Sequence, residues 1–313
     1  GFTGTTWWLI ICVMGLGAAV SKCGLLKRLS LYSLKLFKPT YTGQLFGITV
    51  MGIVIAPFIP STTAKMAIMG PLVLGIGNEL GLPKRGPGRM GLLMAMWLGS
   101  TITGNFFVNA SFQGYALLGL LPAETQATYT WITWLIRMLP WSAVVTVLFF
   151  FFIRLGYKED RLQTISKEYI NDQLKSLGSL TVDEKKVTVV MVLVLLLFIL
   201  ESKTGISAMA VATLAMCVLT FLRVIGPKEY TEKSLWPLMT FFGIALGMGD
   251  VFTAVGINDW LLSCLEPLMG ALTNPFLFIV IISLITYVVR IFVSQVPANI
   301  LLTNLFYPVA MSL

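Results

Sequence analysis

Long uncharged apolar runs recur along the whole chain, and their lengths set the expected elements. A first span is read at about 5–20, followed by a basic amphipathic stretch, CGLLKRLSLYSLKLFK, at 23–38. An apolar segment at 42–80 is broken near 60–65, and a long segment at 89–121 is broken around 103–114. Spans follow near 131–153, 187–200, 205–222 and 236–255, then an amphipathic piece at 257–271 and a segment at 275–313 broken near 294–299. Runs such as VTVVMVLVLLLFIL and AVVTVLFFFFI, extended by uncharged flanks, approach the roughly 20 residues that carry a helix through a bilayer core. They read as helical spans rather than barrel strands, so the expected fold is an all-α polytopic integral membrane protein.

Two broken segments have a tip built from proline and polar side chains, around Pro60 and Pro297. Their arms run about 13 to 20 residues, and each is read as a re-entrant helical hairpin that enters and returns. Non-helical backbone at membrane depth is tolerated only where protein buries it or a wet cavity receives it.

Composition agrees with this reading. Of 313 residues 57% are hydrophobic and 12% charged, with a mean hydropathy of +0.86; that is too little charge to clothe a water-soluble globule. The net charge of +8 then reports on topology and not on a nucleic-acid partner. With both hairpins returning to their own side, 18 of the 22 Lys and Arg residues fall on one face, while the opposite loops hold little beyond Lys203. The positive-inside rule makes the rich face cytoplasmic. Residues 157–186, the only long charged stretch, read as a solvated cytoplasmic linker with a short amphipathic helix. The expected location is the bacterial inner membrane.

There is no histidine, and the four cysteines (Cys12, Cys23, Cys217, Cys264) show no paired spacing. Packing accounts for the cysteines, and the usual ligand for haem or catalytic zinc is missing. GMGD at 247–250 resembles the Gly-x-Gly-Asp of intramembrane aspartyl proteases, which need a second intramembrane Asp. Every other acid falls in a loop, a span end or an amphipathic stretch, so neither an enzyme nor a metal or other cofactor is expected.

The two hairpins are related. VSKCGLLKRL at 20–29 and FTAVGINDWL at 252–261 each follow a span and open an amphipathic stretch, with Gly24 and Gly256 at an offset of 232. An offset of 233 then places Ser61 on Ser294. Five intervening crossings put the second unit in inverted topology, the arrangement in which substrates bind near the midplane. The expected organisation is a first inverted repeat at 1–156, the linker at 157–186, connecting spans at 187–235 and a second repeat at 236–313. The second repeat stops 19 residues after Ser294 whereas the first continues for about 90 past Ser61. The chain is therefore read as a fragment truncated at its C-terminus and, since GFTGTTWW lacks an initiator Met, at its N-terminus.

The first tip, IPSTTAKMAIM at 59–69, carries the candidate chemistry. Hydroxyls of Ser61, Thr62 and Thr63 can donate to carboxylate or sulfate oxygens beside the free N–H groups of a helix end; ordinary helix capping explains the same residues. Lys65 is costly inside a membrane unless it pairs or meets water. Glu79 lies 14 residues on, about 21 Å by helical rise, so Lys65 is read as the fixed cation of an anion cavity, with snorkelling as the competing account. At the second tip Arg290 precedes Ser294 by one turn, and Gln295 and Asn299 follow. STITGNFFVNASFQG at 100–114 adds Asn109 and Ser111. It reads either as a discontinuous helix facing the first tip or as interhelical hydrogen-bonding.

Taken together, GFTGTTWWLI, KCGLLKRL, IAPFIPSTTAK and STITGNFFVNA resemble the divalent anion/sodium symporter family, and within it the citrate/succinate and 2-oxoglutarate/malate exchangers. Members carry Ser-Asn-Thr at each hairpin tip, where this chain has Ser61-Thr62-Thr63 and Ser294-Gln295-Val296. The resemblance implies a homodimeric elevator-type transporter in the lipid bilayer, binding a small anionic di- or tricarboxylate at both tips. A sodium site, if retained, would lie near Ser61, Thr62, Gly104 and Asn105. The missing Asn residues leave exchange, sodium-coupled symport of dicarboxylate or sulfate, and a non-transporting homologue open.

Overall fold

The computed structural model describes residues 1–159, 167–230, 235–257, 260, 263, 274–293 and 295–312. Among them are sixteen α-helices and no strand. Ser294, the side chain of Asn105 and most of the 257–271 piece lie outside the described residues.

The chain divides into two compact units: a central one (12–114 and 129–230) and a terminal one (1–11, 115–128 and 231–313). The central unit takes most of α1 (Thr5–Lys22), then α2 (Leu25–Lys35), α3 (Tyr41–Ile55), α4 (Thr62–Glu79) and α5 (Pro87–Trp97). After α6 (Phe112–Leu118) and α7 (Ala123–Ala127) come α8 (Trp131–Gly156), α9 (Lys167–Ser176), α10 (Val182–Ile199), α11 (Glu201–Thr204), α12 (Ala208–Phe221) and α13 (Pro227–Tyr230). The terminal unit holds most of α6, together with α7, α14 (Leu235–Ala254), α15 (Pro275–Phe292) and α16 (Gln295–Ser312).

The corner from α1 to α2 is made at Gly24, whose φ of 83° is open to glycine at no steric cost. It turns the chain into α2, which buries Leu25, Leu26, Leu31 and Leu34 along one side. Arg28 joins that buried side, and its guanidinium bonds both carboxylate oxygens of Glu184 and the carbonyls of Leu177, Gly178 and Ser179. The 157–186 stretch is therefore more than a solvated linker: α9 buries Ile170, and α10 starts five residues early, at Val182. Thr181 and Glu184 form a reciprocal capping box there, satisfying two orphan N–H groups of the charged first turn.

Among the described residues three helical stretches are long and apolar enough to cross a membrane: Thr5–Lys22, Tyr41–Phe58 and Trp131–Gly156. Helix α8 leaves Trp141, Leu148 and Phe152 exposed, as a lipid-facing span does. On the side of the chain where α8 begins, the Glu201 carboxylate accepts from the backbone N–H of Trp131 at 3.2 Å and of Ala208 at 3.0 Å. One acid thus serves the positive ends of both α8 and α12.

In the terminal unit Trp7 donates its indole N–H to the Met239 carbonyl at 2.8 Å. The α15–α16 break is shorter than the sequence reading of 294–299. Val293 is extended (φ −121°, ψ 137°) and the helix resumes at Gln295, so Pro297 and Asn299 lie inside α16.

Candidate functional site

Two interruptions meet in the central unit. The first separates α3 from α4: a 3-10 turn, Ala56–Phe58, is followed by extended Ile59, the buried Pro60 and Ser61. The second begins at Leu98, earlier than the expected 103, as a π-helical turn (Leu98–Ile102), and continues through 3-10 turns at Thr103–Phe106 and Val108–Ala110 to extended Ser111. Gly52 of α3 faces Gly99 backbone to backbone, so closely that a Cβ on Gly52 would overlap the Gly99 carbonyl. Gly17 of α1 gives room to the Pro60 ring, which a Cβ would approach to 2.5 Å. Small residues let these backbones close in, as they do at helix interfaces in membranes.

Broken helices orphan carbonyls, and here each break answers the other. Phe112 N–H donates to Pro60 O at 3.0 Å, Asn109 Nδ2 to Pro57 O at 2.6 Å, and Lys65 Nζ to Ala110 O at 3.0 Å. Although Tyr41–Phe58 has the length of a crossing, these bonds fix a non-helical turn inside protein, the condition for such backbone at membrane depth.

Lys65, on the first turn of α4, is wholly buried. Among the described residues it makes no ion pair, and its ammonium lies 3.3 Å from where a Gly104 Cβ would be. Burial rules out the snorkelling account. Ser61 does what a cap does, its Oγ accepting from Ala64 N–H at 3.3 Å. Thr62 is half-buried and Thr63 exposed; among the described residues neither hydroxyl has a hydrogen-bond partner. The start of α4 therefore offers two threonine hydroxyls, the open N–H groups of a helix N-terminus and a nearby ammonium, a set suited to an anion.

Asn109 is placed differently from a free ligand. Besides Pro57, its Oδ1 accepts from the Trp131 indole N–H at 2.8 Å, and the Trp131 ring stacks on Phe107 at 5.3 Å. Its amide thus ties the α3–α4 tip to the start of α8. Ser111 Oγ accepts from Gln113 N–H at 3.3 Å, turning the chain into α6. Trp131 carries no local sequence signal for this role, since its partner lies 22 positions away. Replacing Trp131 by Phe should keep the stack but leave Asn109 Oδ1 buried without its donor, at about 1–3 kcal/mol. Asn109→Ala, which strands both Pro57 O and the indole, should cost more. Thermal melts of the two variants against the parent check the order, and an unchanged Trp131→Phe melt would remove Trp131 from the scaffold.

The other candidates lie in the terminal unit. Arg290 and Gln295 are exposed, and Asn299 is half-buried. Asn299 lines a cavity of about 270 Å³ with Leu117, Thr286, Thr303 and Tyr307.

A family model described as the sodium:sulfate symporter transmembrane region matches residues 1–313. The chain belongs to this family of divalent anion symporters and is an all-α polytopic membrane protein. Among curated proteins it is similar to a membrane protein of Cupriavidus necator (23% identical, 83% of this chain and 52% of the relative). It is also similar to dicarboxylate transporter 2, chloroplastic, of Spinacia oleracea (26%, 84% and 48%) and to the citrate/succinate antiporter of Escherichia coli K12 (27%, 83% and 55%). The chain spans about half the length of these relatives.

Proposed function

We propose that the protein takes part in secondary transport of di- or tricarboxylate anions across the bacterial inner membrane, by exchange of one anion for another. The observation that carries the reading is Lys65, a buried ammonium with no carboxylate partner among the described residues, at the junction of two helix breaks. An ammonium fixed there supplies positive charge with every anion bound, so no co-transported cation is needed to offset it. The similarity to proteins named as a dicarboxylate transporter and a citrate/succinate antiporter supports the substrate class.

In this reading the α3–α4 and α15–α16 tips belong to inverted repeats, and each binds carboxylate. Thr62 and Thr63 act at the first tip; Gln295, Asn299 and Arg290, with Ser294, act at the second. Residues 157–186 face the cytoplasm and the protein works as a homodimer. Sodium-coupled symport is the second reading, favoured by the description of the family itself. Against it, the Lys65 ammonium stands beside Gly104, where the sodium site would lie.

Uptake of radiolabelled succinate into proteoliposomes separates the two. Exchange predicts uptake that needs internal dicarboxylate and ignores a sodium gradient. Uptake into empty vesicles that follows the sodium gradient would overturn it.

A further inference from the structure

The corner between α2 and α3 carries a cavity that anion transport does not use. It measures about 400 Å³ and is lined by Phe37, Lys38, Thr40, Thr42, Phe46 and Phe150. That volume lies within the roughly 300–1,000 Å³ of small-molecule sites. The Phe37 and Phe46 rings meet edge to face at 5.3 Å, and Phe46 and Phe150 at 5.6 Å, so one side is a continuous aromatic wall.

The cavity is built before any ligand arrives. Gly43 and Gly47 let residues 37 and 38 lie directly on α3; a Cβ on Gly47 would come within 3.1 Å of the Phe37 ring, and one on Gly43 would overlap the Lys38 carbonyl. Gln44 Nε2 holds that carbonyl at 3.1 Å, and Thr40 caps α3 by accepting from Gly43 N–H at 3.2 Å.

The lining is mixed in chemistry. Besides the rings it includes Thr40, Thr42 and the exposed Lys38, whose ammonium has no ion pair among the described residues. Such a site fits a molecule that is anionic at one end and apolar at the other. The surroundings choose between sources. The corner belongs to the Lys- and Arg-rich face that the charge count makes cytoplasmic, where basic pockets bind anionic lipid head groups. Leu36, 82% exposed, and Tyr32, 52% exposed, extend the apolar surface along α2 as on a helix lying in the membrane interface. A free phosphate would make no use of three phenyl rings.

We propose that this cavity binds an anionic phospholipid, with the phosphate at Lys38 and Thr42 and the first acyl segment along Phe37, Phe46 and Phe150. The site is independent of whether transport is by exchange or symport.

The test uses the protein in detergent, with melting and native mass spectrometry read after addition of phosphatidylglycerol, phosphatidylcholine of the same acyl chains, or inorganic phosphate. Phosphatidylglycerol should raise the melting midpoint and remain as a bound adduct, and phosphatidylcholine should do neither. Lys38→Gln should weaken the phosphatidylglycerol effect about fivefold, while Lys84→Gln, a lysine of the same face outside the cavity, leaves it intact. Thr42→Val should weaken binding in a protein whose charge is unchanged. Equal effects of the two lipids, equal losses in the Lys38 and Lys84 variants, or the same stabilisation by inorganic phosphate would each overturn the proposal.

Discussion

Replacing Lys65 by methionine is expected to abolish anion exchange while leaving the protein at least as stable as before. The two effects separate because, among the described residues, the ammonium is buried against a single carbonyl, Ala110 O at 3.0 Å, with no carboxylate to offset its desolvation. Removing an uncompensated buried charge and keeping the apolar stem is often neutral or stabilising. If the charge is held for the substrate, its loss falls on binding alone. Uptake should drop at least about tenfold, equivalent to about 1.4 kcal/mol. Substrate-induced stabilisation, about 2.7 kcal/mol when ligand stands at 100 times Kd, should fall by a similar energy. Lys65→Arg keeps the charge but not the compact ammonium and should recover part of the uptake. Full exchange by Lys65→Met, or a melt lowered along with transport, would make Lys65 a structural tie between the breaks instead.

Lys65 is legible from sequence because a charge in an apolar run is conspicuous anywhere. The spans of α1 and α8 are legible for the same kind of reason, since only length and apolarity are needed to find them. What the breaks do to one another is not. Asn109 reads as a ligand because an amide at membrane depth needs partners, yet its partners are a proline carbonyl 52 positions away and a tryptophan 22 positions away, and no local pattern encodes either. The start of α10 shows the reverse case. Its Thr-Val-Asp-Glu at 181–184 is the local spelling of a capping box, but the density of charge beside it reads more readily as linker. Arg28, counted as a topological charge, turns inward for a partner 156 positions on.

That partner sets the second large effect. Arg28 and Glu184 are 7% and 4% exposed, so cutting one away strands the other. Arg28→Met should lower stability by about 3–5 kcal/mol, the usual cost of breaking a buried pair from one side. Besides the pair itself, it removes the donor to three carbonyls of residues 177–179. Glu184→Gln should cost less, because an amide oxygen can still accept from Thr181 N–H as the carboxylate does at 2.8 Å. The double variant should be less destabilised than the sum of the two, since each single change leaves a penalty that the second removes. Acid should act on the same pair. Burial alone would raise the Glu184 carboxyl, but hydrogen bonds from Arg28 and Thr181 and the guanidinium charge outweigh it and hold it below the usual carboxylate range. A depressed folded value means the contribution is complete above the unfolded carboxyl's pKa of about 4.3 and is lost as pH falls through the folded one. Melting midpoints followed from pH 7 down to pH 3 should therefore converge between the parent and Glu184→Gln. If the gap between them stays constant over that range, the carboxylate charge is not what holds α2 to the start of α10.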